Sequence, residues 1–154
     1  MNNEHKAIKK PMKEQIKLAT KSDIYKILPA LLELRPHRNE TELRELLQDA
    51  FDEGYQVIYI GNDNVAYAML GFRILHFTFS GKALRVDDLA TLSNHRRKGY
   101  ASKLFIWIKK YAKEQNCDHI ALDSGFSRHD AHRFYLNQGL FIESLHFGRK
   151  VSEC

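Results

Sequence analysis

The sequence is poor in cysteine, proline and glycine. Its two cysteines, Cys117 and Cys154, have neither metal-ligand spacing nor the arrangement of a disulfide framework. Three prolines and eight glycines among 154 residues exclude collagen-like and Pro/Gly-rich low-complexity chains. No stretch approaches the ~20 apolar residues of a membrane span. The first charges are not followed by an apolar run of about 7–15 residues, so no secretory signal is expected. There is no internal repeat and no Gly/Ser or Pro-rich linker. These absences point to a cytoplasmic protein in a reducing compartment, away from the membrane and without a metal site.

What is present suits one ordinary domain. Hydrophobic residues make up 44% of the chain, with nine Phe and seven Tyr, enough for a real core. Lys and Arg outnumber Asp and Glu by 24 to 19, and the formal charge of +5 attracts anions. Two clusters hold much of the excess: His5, Lys6, Lys9, Lys10 and Lys13 at the start, and His95-Arg96-Arg97-Lys98. The first reads as a solvated tail over residues 1–14, leaving residues 15–154 as a single domain.

Periodicity orders the elements. Ile16 to Ala19 alternates as a short strand. Ile24, Ile27, Leu28, Leu31, Leu32 and Leu34 follow at helical spacing behind Ser22 and Asp23. Arg35-Pro36 breaks that helix. Leu43, Leu46, Leu47, Ala50 and Phe51 mark a second one over residues 40–53, ended by Gly54. Strands are expected over 55–60, 65–79 (bent at Gly71, by a bulge or a close backbone approach) and 83–92, as an antiparallel meander. A helix over 99–115, a strand over 119–123 and a helix over 130–137 come next. Residues 140–142 and 145–151 read as two closing strands. The class is α+β, of order β-α-α-β-β-β-α-β-α-β-β.

The segment Leu89 to Ser102 carries the chemical signal. A strand ends, a basic turn follows, and a helix begins with the small residues Gly99 and Ala101. The first N–H groups of a helix lack internal partners and carry partial positive charge, so a diphosphate suits this place. Arg96, Arg97 and Lys98 add charge around it.

Arg96-x-x-Gly99-x-Ala101 is similar to the R/Q-x-x-G-x-G/A pyrophosphate loop of the GNAT N-acetyltransferase superfamily. Ala131-x-x-Phe134-Tyr135-x-x-x-Gly139-Leu140 resembles that family's A-x-x-F-Y-x-x-x-G-F segment, with Leu140 in place of the usual aromatic. The two motifs flank the short strand Ile120 to Asp123, as in the family, and the resemblance covers roughly residues 15–151. The variant around Ser124 to Tyr135 is similar to small bacterial members. The implied fold is the acyl-CoA N-acyltransferase fold, a mixed, mostly antiparallel twisted sheet flanked by helices.

The resemblance implies direct attack of a primary amine on the thioester of acetyl-CoA. The amine must lose a proton, the oxyanion needs a donor, and the thiolate must be protonated as it leaves. Tyr135 matches the family's general acid; against that stands a core aromatic beside Phe134, the two rings diverging by about 100° along the helix. Asp87 falls where some members hold a glutamate base, with strand alternation sending Asp88 to the opposite face. Leu89, Ala90, Thr91 and Leu92 would meet the acetyl and pantetheine groups by main-chain atoms. Arg96, Arg97, Lys98, Gly99, Tyr100, Ala101 and Ser102 would hold the diphosphate. Many members carry Asn where Arg128 stands, so that role is not carried over. His129 and His132 read as packing or capping residues, and Asp123 could line the cleft.

Two other readings are a CoA-binding regulator of this fold without catalysis and a basic nucleic-acid module. No helix-turn-helix, zinc or RNP-like pattern supports the latter, so no nucleic-acid partner is expected. The acceptor is a small-molecule or peptide amine, which the acid pair Asp87 and Asp88 tilts toward a cation. The resemblance allows a homodimer.

Overall fold

In the computed structural model, which describes residues 14–154, five strands lie side by side in chain order. They are β1 (Lys17–Leu18), β2 (Gln56–Gly61), β3 (Ala66–Phe77), β4 (Gly81–Thr91) and β5 (His119–Leu122). The first four pair antiparallel, and β4 pairs with β5 in parallel. The helices are α1 (Ile24–Leu34), α2 (Glu40–Asp52), α3 (Tyr100–Glu114) and α4 (His129–Asn137). Apart from Glu14, the expected polar tail lies outside the described residues.

Alternation along the central strands builds two cores. Val57, Tyr59 and Met69 face α1 and α2, where Ile24, Ile27, Leu28 and Leu31 form the apolar stripe of α1. Ile58, Ile60, Ala68, Leu70 and Phe72 face the other way, onto Leu104, Phe105 and Ile108 of α3. Burial of each such large side chain contributes about 1.5–3 kcal/mol. Phe105 is fully buried and stacks edge-on against Phe134 of α4 at 5.6 Å, with Tyr135 beside it at 6.1 Å. The two adjacent rings also meet each other edge-on at 5.6 Å, so the three form one aromatic cluster.

Local signals set the boundaries. Asn39 and Glu42 close a reciprocal capping box at the start of α2, Asn39 Oδ1 accepting from Glu42 N–H at 2.9 Å. Asn62 Oδ1 accepts from the N–H groups of Asn64 and Val65 and shapes the β2–β3 turn.

The two closing strands do not form. Residues 141–150 have no regular structure, and a short 3-10 turn occupies Val151–Glu153. Apolar alternation alone does not make a strand, because a ladder needs a partner and a lone hairpin is marginal. Here the segment reaches β5 by side chains only, through His119 with Glu143 at 3.3 Å and Asp123 with His146 at 3.4 Å. Phe141, Ile142, Leu145 and Phe147 are consequently 65–88% exposed. Among the described residues, no helix is long and apolar enough to cross a membrane.

Candidate active site

The site begins with one extra residue. The β3–β4 register runs Phe72↔Val86 and then Gly71↔Asp88, so Asp87 is the unpaired residue of a bulge. The bulge resets the alternation. Leu84 and Val86 face the α3 core, whereas Ala90, four residues beyond Val86, faces the α1 core. Asp87 and Asp88 therefore do not go to opposite faces, as strict alternation predicts. Both line one cleft of about 410 Å³ between β4, α1 and α2.

Each acid is held by an arginine. Arg73 Nε donates to Asp87 Oδ2 at 2.7 Å, and Arg35 Nη2 donates to Asp88 Oδ1 at 2.7 Å. The Tyr55 hydroxyl donates to Asp88 Oδ2 at 2.7 Å. Burial, then the negative charge of Asp88, pushes the Tyr55 phenol well above its ordinary value. Gly71 makes this contact sterically allowed, since a Cβ there would lie 1.7 Å from the Tyr55 oxygen. Arg35, Arg73 and Tyr55 were not legible from the sequence, because 14 to 53 residues separate them from their acids.

Beyond the bulge, β4 parts from β5. The parallel pairing ends at Val86↔Leu122, while β4 continues to Thr91. Among the described residues, 87–91 thus have no strand partner on that side. By alternation Ala90 turns its main chain to Met69 of β3, while Leu89 and Thr91 turn theirs outward, the Thr91 carbonyl accepting from Arg96. Leu92 N–H bonds back to Tyr67 O on the β3 side at 2.9 Å. Leu89, Leu122, Phe134 and Tyr135 all pack against the α3 core. Burial raises the Tyr135 phenol above its usual range; the charge of Arg128 pulls it down and that of Asp88 pushes it up. Arg128 also donates to Leu34 O of α1 at 3.4 Å, across the cleft mouth. His132 bonds Gly125 O at 2.9 Å and secures the loop before α4, the packing role expected for it.

The basic loop is moored at both ends. Glu33 of α1 accepts from Ser93 N–H at 2.9 Å and from its hydroxyl at 3.2 Å. His95 stacks on Tyr67, ring centroids 4.0 Å apart. Arg96 Nε donates to Thr91 O at 3.3 Å, with its guanidinium 3.8 Å from Glu33. Arg97 and Gly99 both have left-handed backbones, φ 63° and 79°, which curl the loop into α3. The first intrahelical bond is Lys103 N–H to Gly99 O, so the amides of Gly99, Tyr100, Ala101 and Ser102 precede it. No atom lies within 4 Å of where a Gly99 Cβ would stand, and Arg96, Arg97 and Lys98 are exposed around that space. The Tyr100 side chain turns away from that space. It is buried, donates to Glu14 at 2.6 Å and is pushed up to about 12, first by that bond and then by burial.

The family model of the acetyltransferase (GNAT) family matches residues 22–140. The chain belongs to that family and is an acyltransferase. It is 30% identical over 136 residues to the uncharacterized N-acetyltransferase YhdJ of Bacillus subtilis (strain 168), covering 87% of this chain and 96% of that one. Two solved structures share the fold. The ribosomal-protein-alanine N-acetyltransferase from Brucella melitensis biovar Abortus 2308 superposes with a TM-score of 0.74 at 20% identity, covering 88% of this chain and 98% of that one. The aminoglycoside N-acetyltransferase AAC(6')-Iy in complex with CoA does so with a TM-score of 0.76 at 15% identity, covering 89% and 94%. The GNAT fold of this chain is thus a mixed five-stranded sheet flanked by four helices.

Proposed function

We propose that this GNAT chain transfers the acetyl group of acetyl-CoA to a primary amine by direct attack. The carrying observation is the parting of β4 from β5 after Val86, which opens unpaired main chain between the acid cleft and Tyr135. The loop fits the donor: open amides at the start of α3, a residue without Cβ beneath them, and three exposed cations. A structure of similar fold is solved with CoA, which supports the same co-substrate here.

In this reading Arg96, Arg97, Lys98 and the amides of Gly99 to Ser102 hold the diphosphate. The outward main chain of Leu89 and the Thr91 N–H hold the pantetheine arm and the thioester oxygen, whereas Ala90 faces β3 and both main-chain groups of Leu92 are bonded within the protein. The amine nitrogen bonds to the carbonyl carbon and the carbon–sulfur bond breaks. Tyr135 gives its proton to the departing thiolate, and burial suits it by keeping the phenol protonated at neutral pH. Asp87 receives the amine proton through water. Its Oδ2 is taken by Arg73, while Oδ1 has no partner among the described residues. The two solved neighbours have different acceptors, an aminoglycoside and a ribosomal protein alanine, so the fold leaves the acceptor open.

Calorimetric titration with acetyl-CoA, followed by thiol release on an amine panel, tests this. Saturable binding with turnover on an amine is expected. Binding without turnover on any amine would favour a regulator, and no binding would remove acetyl transfer altogether.

A further inference from the structure

The acid pair that tilted the expected acceptor toward a cation is largely engaged: both Asp88 oxygens are bonded, and Asp87 keeps only Oδ1 without a partner among the described residues. Asp87 and Asp88 are each bound by an arginine at 2.7 Å. The same cleft is lined by a third arginine, Arg38, which has no ion pair among the described residues. The acids nearest it in sequence are engaged elsewhere: Glu40 by Arg44 at 2.6 Å and Glu42 by the α2 capping box. Among the residues lining the cleft, three arginines stand against two aspartates.

The Arg38 backbone is held in place, and its side chain is exposed. The residue sits on the turn Arg35-Pro36-His37-Arg38, whose ends are fixed by Arg35 N–H to Leu31 O at 2.8 Å and Arg38 N–H to Arg35 O at 2.9 Å. The α2 wall of the cleft is apolar, formed by Leu43, Leu46, Leu47 and Ala50, and Leu46 is 48% exposed.

A planar guanidinium fork with no partner at the lip of a cleft is a receptor for an oxyanion. A polycation would meet three arginines and find a single carboxylate oxygen, Asp87 Oδ1, without a partner among the described residues. We infer that the acceptor is an amine carrying its own oxyanionic group, a carboxylate or phosphonate bound by Arg38, with an apolar body against α2. This rests on the acetyl-transfer reading and names the substrate class of its cleft.

The test is binding to the CoA-loaded protein, so that no turnover is needed. Saturation with CoA is confirmed by calorimetry before any amine is added, and its failure counts against acetyl transfer alone. Matched pairs are then titrated: L-leucine and L-leucinamide, glycyl-L-leucine and its amide, 2-aminoethylphosphonate and ethanolamine, with spermidine as the cationic probe. At least one anionic member is expected to bind about tenfold more tightly than its partner, and which pair discriminates separates carboxylate from phosphonate. Arg38→Ala should cut that preference to about threefold or less, whereas Lys110→Ala, an equal loss of charge on α3, should leave it intact. Equal binding within every pair, tighter binding of amides or spermidine, or no binding of any member would overturn the inference.

Discussion

The Tyr55 hydroxyl reaches Asp88 only because residue 71 has no side chain. It donates at 2.7 Å across the position where a Cβ on residue 71 would stand, 1.7 Å from its oxygen. The glycine, the tyrosine and the acid lie on three consecutive strands, β2 having Tyr55 just before its start. Their contact fixes the floor of the acceptor cleft.

Gly71→Ala is therefore expected to displace the Tyr55 ring and leave its buried hydroxyl without a partner. Overpacking costs about 1–3 kcal/mol and a lost buried hydrogen bond about 1–3 kcal/mol, so denaturant unfolding should show a loss of roughly 2–6 kcal/mol. A loss under 1 kcal/mol would mean that the ring has room to move.

Tyr135→Phe should lower kcat by about 10²-fold or more, the usual scale for a general acid, with little change in acetyl-CoA affinity. A collapse of affinity, with turnover per bound donor preserved, would make Tyr135 a packing residue beside Phe105.

Alkaline pH gives a second reading of the buried phenols. The Tyr55 phenol is raised well above its ordinary value by burial. A raised group stabilises the fold fully below its unfolded pKa of about 10, and that contribution is lost as pH rises through the folded value. The wild type should thus lose stability steeply above pH 10, and Tyr55→Phe should flatten that limb. Parallel curves for the two proteins would show that Tyr55 is not desolvated.

Gly99→Asp places a negative charge at the open amides of α3. A left-handed backbone costs a residue with a Cβ roughly 1–2 kcal/mol, since no neighbouring atom is struck. Acetyl-CoA affinity should fall by at least about tenfold, whereas Gly99→Asn, with the same backbone cost and no charge, should fall much less. Equal losses would assign the effect to the backbone alone.

Phe147→Ser in the C-terminal segment should change stability by less than about 0.5 kcal/mol, since Phe147 is 88% exposed. A clearly larger loss that varies with protein concentration would show that a second copy covers the segment.

The elements carried by local pattern were legible in the sequence. Helical spacing located α1 and α2, and Gly71 was expected at a bulge or a close backbone approach; the register does shift beside it, but the extra residue is Asp87 on β4 and the close neighbour is the Tyr55 hydroxyl. The basic turn before α3 was readable because the whole motif lies within a few consecutive residues. What failed depended on pairing between distant segments. The extra residue at Asp87 is visible only once β3 is laid against β4, and the arginine partners of the two acids come from α1 and β3. The closing strands were wrongly expected because β propensity was present without a ladder to join.

The dislocation at Asp87 leaves the faces of β4 set by β3: Val86 and Leu89 stand opposite Phe72 and Leu70 on the α3 side, and Ala90 stands opposite Met69 on the α1 side. Asp87 is thus a supernumerary residue, and its deletion would leave a regular ladder with those faces unchanged and the acid removed. The turn from Arg35 to Arg38 is tied to that same stretch of β4, since Arg35 Nη2 donates to Asp88 Oδ1 at 2.7 Å and to Asp87 O at 3.4 Å.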